Sequence, residues 1–144
     1  MIVLDANLLL YAYDSGSLHH EKARSWVEKV FSEPAPIGLP WQTVCAFLQI
    51  TTNPRLSGDR FSIEEAIDIV DRWLEQPNIR LLAPGERHWP LLRRTALDGQ
   101  AQGPLIADAE LAALTMEWGG ILHTTDRDFA RFPALRWVNP LLPS

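Results

Sequence analysis

Cysteine is nearly absent from this chain of 144 residues, which contains Cys45 alone. A single cysteine cannot form an internal disulfide, and it cannot supply the several thiolates of a structural zinc site. Because Cys45 lies among apolar neighbours, we predict that it is a small residue of the core. The length suits one domain, residues 1–144, with a hydrophobic core.

Long apolar runs are also missing from the sequence. No stretch approaches the ~20 apolar residues that a membrane-spanning helix needs. Asp5 interrupts the first apolar segment, so no secretory signal peptide is predicted. From these two observations we expect a cytoplasmic protein.

The third feature that the sequence lacks is an excess of basic residues. The chain has 13 Lys and Arg against 18 Asp and Glu, which gives a formal net charge of −5. A protein that binds nucleic acid through a broad basic surface is expected to be positively charged. Any contact with nucleic acid must therefore depend on a local basic patch or on a bound metal ion.

Two kinds of apolar segment alternate along the chain. Short continuous runs at 1–4, 37–39, 79–82, 121–124 and 136–138 predict buried strands. Segments with apolar residues three and four apart predict helices at 8–13, 18–31, 41–52, 62–74, 86–97 and 105–118, with a polar loop at 55–60. The alternation indicates an α/β fold with a mostly parallel central sheet.

Three aspartates are the main candidates for chemistry. Asp5 follows the first predicted strand and Asp126 follows the fourth, and the carboxyl ends of parallel strands meet at one edge of a sheet. Asp108 lies on or beside the apolar stripe of its predicted helix, whereas Glu110 is expected to face solvent. Since an isolated buried charge is very unfavourable, Asp108 must be paired, hydrogen-bonded or metal-bound.

Each of these acids also has an ordinary structural interpretation. Asp5 and Asp126 can each cap a helix, and Asp128 is favourable at a helix N-terminus. Asp108 can form a salt bridge with a nearby arginine. These interpretations treat the acids one at a time. They do not explain why two buried strands end in Asp while a helix buries a third.

A shared metal ion would explain the three acids together. If the carboxylates meet, their charges raise one another's pKa values unless a cation neutralises them. Carboxylate and water oxygens suit Mg²⁺ or Mn²⁺, and such an ion activates bound water and polarises a phosphoryl oxygen. The pattern therefore fits hydrolysis of a phosphodiester by a metal-bound water. No side chain stands out as a general base.

Six segments, taken in order, carry a resemblance to a known family. They are IVLDAN at 2–7, LPW at 39–41, AFLQITTNPR at 46–55, IADAELAA at 106–113, TTDRDF at 124–129 and FPALRW at 132–137. Together they resemble the PIN-domain ribonucleases, specifically the VapC-type toxins of prokaryotic toxin–antitoxin pairs. The resemblance implies a three-layer α/β/α sandwich and a homodimer. It also implies Mg²⁺- or Mn²⁺-dependent endoribonuclease activity on structured RNA, and a cognate antitoxin.

The resemblance also implies roles for individual residues. Asp5, Asp108 and Asp126 match the family's metal-binding, catalytic acids, and Asn7 and Thr124 match supporting polar residues.

One position departs from the family pattern. The family usually has a Glu in the third helix, where we align Ala46, so we expect one tightly held Mg²⁺ ion rather than two. Asp128 is a further metal contributor that would compensate in part. Arg127 and Arg131, close to Asp126, are the predicted contacts to RNA phosphates. The alternative hypothesis is a PIN fold that lost turnover with that Glu and now binds RNA or a protein partner.

Overall fold

Five short strands form one sheet: β1 (Ile2–Leu4), β2 (Ile37–Pro40), β3 (Ile79–Leu82), β4 (Ile121–His123) and β5 (Trp137–Val138). The structure, a computed structural model, describes residues 1–56 and 60–143, so that residues 57–59 of the predicted loop lie outside the described residues. The strand order is β3-β2-β1-β4-β5, and every neighbouring pair is parallel. This topology confirms the predicted α/β class.

Within residues 1–56 and 60–143, six α-helices and one 3₁₀ helix connect the strands. They are α1 (Ala6–Ala12), α2 (His20–Ser32), α3 (Trp41–Thr51), α4 (Ile63–Glu75), α5 (His88–Asp98), α6 (Leu105–Glu117) and the 3₁₀ helix Arg127–Arg131. The first helix begins two residues earlier than predicted, because Asp5 caps it. In the described ranges, no helix combines the length and the apolar character that crossing a membrane requires.

A hydrophobic core lies on each face of the sheet. Neighbouring residues of a strand point to opposite faces, so Leu4 and Val3 of β1 join different cores. Leu4 packs with residues of α1 to α4, among them Phe47 and Trp73, whose rings meet edge to face with centroids 4.6 Å apart. Val3 packs with α5, α6 and Phe129 of the 3₁₀ helix. The molecule is therefore a three-layer α/β/α sandwich, as the family resemblance implied.

The carboxyl ends of the central strands meet at one edge of the sheet. Leu4 pairs with His123, and the Asp5 N–H continues the ladder by donating to the His123 carbonyl at 3.1 Å. The buried Thr43 hydroxyl donates to the Leu4 carbonyl at 2.7 Å, which fixes the start of α3 at the same edge. The residues that follow β1, β2 and β4 are thereby brought together.

Cys45 is exposed, so the prediction of a core cysteine is wrong. The helix α3 turns Val44 and Phe47 into the core, and Cys45 falls on its outer side. Apolar neighbours in sequence therefore did not indicate burial at this helical position.

Asn78, at the start of β3, provides a test of how the sheet is assembled. This buried side chain donates through Nδ2 to the carbonyls of Val30, Glu33 and Ala35 at 3.3, 2.8 and 3.2 Å. We expect Asn78→Ala to lower the free energy of unfolding by about 2–3 kcal/mol, because it removes the three hydrogen bonds that this buried amide makes. Urea denaturation measures this, with Gln76→Ala as the exposed control; equal losses would contradict the assignment.

Candidate active site

Asp5 joins the end of β1 to the start of α1. Its Oδ1 accepts from the Ala6 N–H at 2.7 Å, and its Oδ2 accepts from the Thr124 hydroxyl at 2.7 Å. Asp5 therefore caps α1, as its structural interpretation predicted. Burial raises the pKa of Asp5, the hydrogen bonds from Thr124 and Ala6 oppose that effect, and repulsion from Asp126 adds to it.

Thr124 is the fully buried centre of the hydrogen bonds at this edge. Its hydroxyl donates to Asp5, and it accepts from the Asp126 N–H at 3.0 Å and from Asn7 Nδ2 at 3.3 Å. One hydroxyl thus ties together the ends of β1 and β4 and the first turn of α1. The structure places both predicted supporting residues, Asn7 and Thr124, in this one network.

Asp108, Asp126 and Asp128 form a compact acidic cluster. One carboxylate oxygen of each lies within 4.8 Å of those of the other two. Asp126 caps the 3₁₀ helix, where its Oδ1 accepts from the Asp128 N–H at 2.9 Å, and Asp108 projects from the first turn of α6. This spacing lets one cation contact all three, since oxygen ligands lie about 2.0–2.6 Å from Mg²⁺ or Ca²⁺.

Asp108 shows the electrostatic effect of the cluster, because its pKa is raised from 3.8 to about 6. Burial is the largest cause, followed by repulsion from Asp126, Asp5 and Asp128, and Arg131 offsets part of the effect. Asp5 therefore belongs to the same electrostatic group. Among the described residues, no salt bridge includes any of these four carboxylates, so the arginine pair that would explain Asp108 structurally is not found.

Arg127 and Arg131 both lie exposed on the 3₁₀ helix beside the cluster. Arg131 is held in place, because its Nη1 donates to the Gly99 carbonyl at 3.0 Å. From there it lies close enough to Asp108 to lower the pKa of that acid. Their contact with RNA stays a prediction.

The helix α3 supplies no acid to the cluster. Ala46 is partly buried in that helix, one turn beyond Gln42. Gln42, which the sequence reasoning missed, is the α3 residue that reaches α6: its Nε2 donates to the Ala107 carbonyl at 3.2 Å and lies 3.4 Å from a Glu110 oxygen. Its position in the first turn after a parallel strand, at the active edge, is the signal that would have identified it.

Glu110 is half-buried, so the prediction that it faces solvent is wrong. Besides Gln42, it meets His88 of α5, whose Nε2 lies 3.7 Å from a Glu110 oxygen, and His88 Nδ1 lies 3.5 Å from Glu117. Burial raises the pKa of Glu110, and the nearby His88 opposes that shift. The packing of α5 on α6 covers a face that helical periodicity alone assigns to solvent.

The Asn7 side chain carries an unsatisfied oxygen next to the acids. Its Oδ1 is buried and has no hydrogen-bond partner within residues 1–56 and 60–143. A buried acceptor left unpaired costs about 1–3 kcal/mol. The four carboxylates form no salt bridge among the described residues, and together with the Asn7 oxygen they offer only oxygen donors, which fits a hard divalent cation such as Mg²⁺ or Mn²⁺.

Comparison with known proteins identifies the family of this chain. The family model described as PIN domain matches residues 2–135. The chain belongs to the PIN-domain family. Within that family it is similar to the VapC ribonuclease Mb2897 of Mycobacterium bovis, with 38% identity over 141 residues that cover 98% of this chain and 96% of that protein. Ribonuclease VapC33 of Mycobacterium tuberculosis is 36% identical over 141 residues, covering 98% and 99%.

Solved structures share the fold of this PIN domain. VapBC2 from Rickettsia felis, bound to a DNA fragment from its promoter, superposes with a TM-score of 0.71 at 15% identity, covering 96% of this chain and 98% of that one. VapBC-1 from nontypeable Haemophilus influenzae gives 0.71 at 17% identity, covering 97% and 98%. The resemblance to VapC-type PIN domains is therefore confirmed at the level of family and fold.

Asp108 gives a test of the electrostatics in the metal-free protein. Folding raises its pKa from 3.8 to about 6, so its contribution to stability is most favourable below pH 4 and is lost as the pH rises through 6. Asp108→Asn should therefore raise the free energy of unfolding at pH 8, and this gain should shrink toward pH 4. Urea denaturation in EDTA across this range measures it.

The matched control is Asp71→Asn, which removes an exposed acid from α4. It should change stability by less than about 0.5 kcal/mol. A lower stability of Asp108→Asn than of wild type at pH 8 would show that Asp108 is favourably paired.

Proposed function

We propose that this VapC-type PIN domain is a metal-dependent endoribonuclease that acts as the toxin of a toxin–antitoxin pair. Ribonuclease activity follows the curated relatives, which are named as VapC ribonucleases and match nearly the whole chain. The single observation that carries the metal dependence is the cluster of Asp108, Asp126 and Asp128, which is coupled to Asp5 and forms no salt bridge among the described residues.

The acids have distinct parts in this proposal. Asp5, Asp108 and Asp126 hold Mg²⁺ or Mn²⁺, and Asp128 adds a fourth carboxylate on the exposed side. Thr124 fixes the Asp5 carboxylate and the Asp126 backbone, so that these two acids keep their relative position before any ion arrives. When bound, the ion would activate a water as the nucleophile and offset charge on the phosphoryl oxygens.

Protons compete with the ion for this site. The raised pKa of Asp108 means that its carboxyl is about half protonated near pH 6 in the metal-free protein. Since metal ligands have to be deprotonated, binding of the ion releases protons and weakens as the pH falls. A site of this kind works best in neutral or mildly alkaline conditions.

RNA is the substrate in this proposal, and its phosphates are contacted locally. The net charge of −5 argues against binding through a broad basic surface. Arg131, held by the Gly99 carbonyl beside the acids, supplies a fixed positive charge for a phosphate, and Arg127 lies exposed on the same short helix. Phosphate contacts of this kind position a nucleic acid without reading its sequence.

A cognate antitoxin, a homodimeric state and a cytoplasmic location complete the proposal. The structural neighbours VapBC2 and VapBC-1 are toxin–antitoxin complexes, which supports an antitoxin partner for this chain. The antitoxin would keep the ribonuclease inactive until it is removed.

One observation favours the alternative of a binding module without turnover. The helix α3 contributes no carboxylate to the cluster, since Ala46 stands where the family resemblance places a Glu. In that case the protein would bind RNA, and addition of Mg²⁺ would not lead to cleavage.

Cleavage of structured RNA by the full chain tests the proposal against this alternative. We expect cleavage with Mg²⁺ and none with EDTA. Asp126→Asn should lower the rate by more than about 100-fold, because even residues that only orient metal ligands cost 10- to 100-fold. The control Asp71→Asn should cleave as wild type does. Binding without cleavage supports the alternative, and equal cleavage by all samples contradicts metal dependence.

Arg131 is expected to act on both the substrate and the acids. Arg131→Ala removes a positive charge that lowers the pKa of Asp108, so the acidic limb of the pH–rate profile should move to higher pH. It should also raise KM more than it lowers kcat. Steady-state kinetics against pH measures both effects, with Arg24→Ala on the exposed side of α2 as control. An unchanged pH–rate profile would show that Arg131 does not act on the acids of the site.

A further inference from the structure

The orientation of the Asn7 amide is dictated by Thr124. The Thr124 hydroxyl has one hydrogen, which it donates to Asp5 Oδ2 at 2.7 Å. Towards Asn7 it can therefore only accept, and Asn7 presents its Nδ2 at 3.3 Å. A flipped amide would bring two oxygens together without a hydrogen between them. The amide oxygen is consequently turned away from Thr124 and is left buried without a donor.

No structural role that we find among the described residues explains why this oxygen is buried without a hydrogen-bond partner. Asp5 already caps α1, so the helix does not need Asn7 at its N-terminus. The amide nitrogen alone completes the bond to Thr124. The oxygen belongs to a side chain that is only one hydroxyl away from Asp5 and from the backbone of Asp126. A neutral oxygen on a side chain that shares the Thr124 hydroxyl with Asp5 and Asp126 is the kind of donor that suits a hard cation or the water that such an ion keeps.

We propose that the Asn7 amide oxygen is the neutral donor of the hydrated divalent-cation site, in a set to which α3 adds no carboxylate. This inference rests on the proposed metal dependence. A neutral donor contributes to binding the ion without adding to the repulsion among the four acids. In the metal-free protein the same oxygen is unsatisfied, so loading of the ion relieves an existing cost.

Two substitutions separate the oxygen of Asn7 from its N–H group. Asn7→Leu and Asn7→Asp both lose the amide N–H that binds Thr124, but only Asn7→Asp keeps an oxygen at the position. Mn²⁺ alone is the probe, and its dissociation constant is measured on the full chain by calorimetry and by electron paramagnetic resonance. Asn53→Leu, at the far end of α3, is the control for loss of a partly buried Asn.

We expect Asn7→Leu to weaken Mn²⁺ binding by about tenfold, which is the lower end of the loss on removing a residue that supports a metal site. Asn7→Asp should bind Mn²⁺ at least as tightly as wild type, and Asn53→Leu should not differ from wild type. Thermal unfolding in EDTA verifies that each variant is folded. If Asn7→Leu does not fold, Asn7→Ala takes its place with the same expected loss.

Three outcomes would overturn the inference. Equal weakening by Asn7→Leu and Asn7→Asp would assign the effect to the N–H bond with Thr124. Wild-type affinity in Asn7→Leu would mean that the oxygen takes no part. Absence of Mn²⁺ binding by the wild-type chain would refute the proposed metal dependence itself, and the inference with it.

Discussion

Repulsion among carboxylates at one edge of the sheet is the constraint on which the rest of the site depends. Burial of Asp108, together with repulsion from Asp126, Asp5 and Asp128, raises its pKa to about 6. A fold tolerates such an arrangement when something outside the chain supplies the missing charge. Among the residues that the structure describes, Arg131 offsets part of this repulsion, and its guanidinium donates to the Gly99 carbonyl.

The fold holds these acids in place through ordinary packing and a few buried hydrogen bonds. Parallel pairing of β1 and β4 aligns Asp5 with the Thr124 segment, and the fully buried Thr124 hydroxyl then bonds to both chain segments. Asp108 arrives from α6, which is buried against the sheet through residues such as Ala112, one helical turn beyond Asp108. Each carboxylate lies in or next to an element that contributes residues to a core, so the packing of the fold sets the backbone positions of the acids.

The sequence predicted the architecture well because strands and helices alternate with clear periodicity. It also predicted which edge would carry the acids, since Asp5 and Asp126 follow strands that had to be parallel. Prediction from the sequence failed for residues whose solvent exposure is decided by tertiary packing. Cys45 has apolar neighbours yet lies on the outer side of α3, and Glu110 is covered because α5 packs across α6. The contact of Gln42 with α6 and the orphaned oxygen of Asn7 depend on distances between segments that periodicity does not contain.

The most direct test of the account is the titration of the Asp108 carboxyl, followed by carbon NMR with and without Mg²⁺. The account predicts a pKa of about 6 in the metal-free protein. It further predicts that saturating Mg²⁺ lowers this pKa below the ordinary value of 3.8, because the ion stabilises the charged form. A pKa near 3.8 that does not respond to Mg²⁺ would contradict the claim that these acids form a cation site.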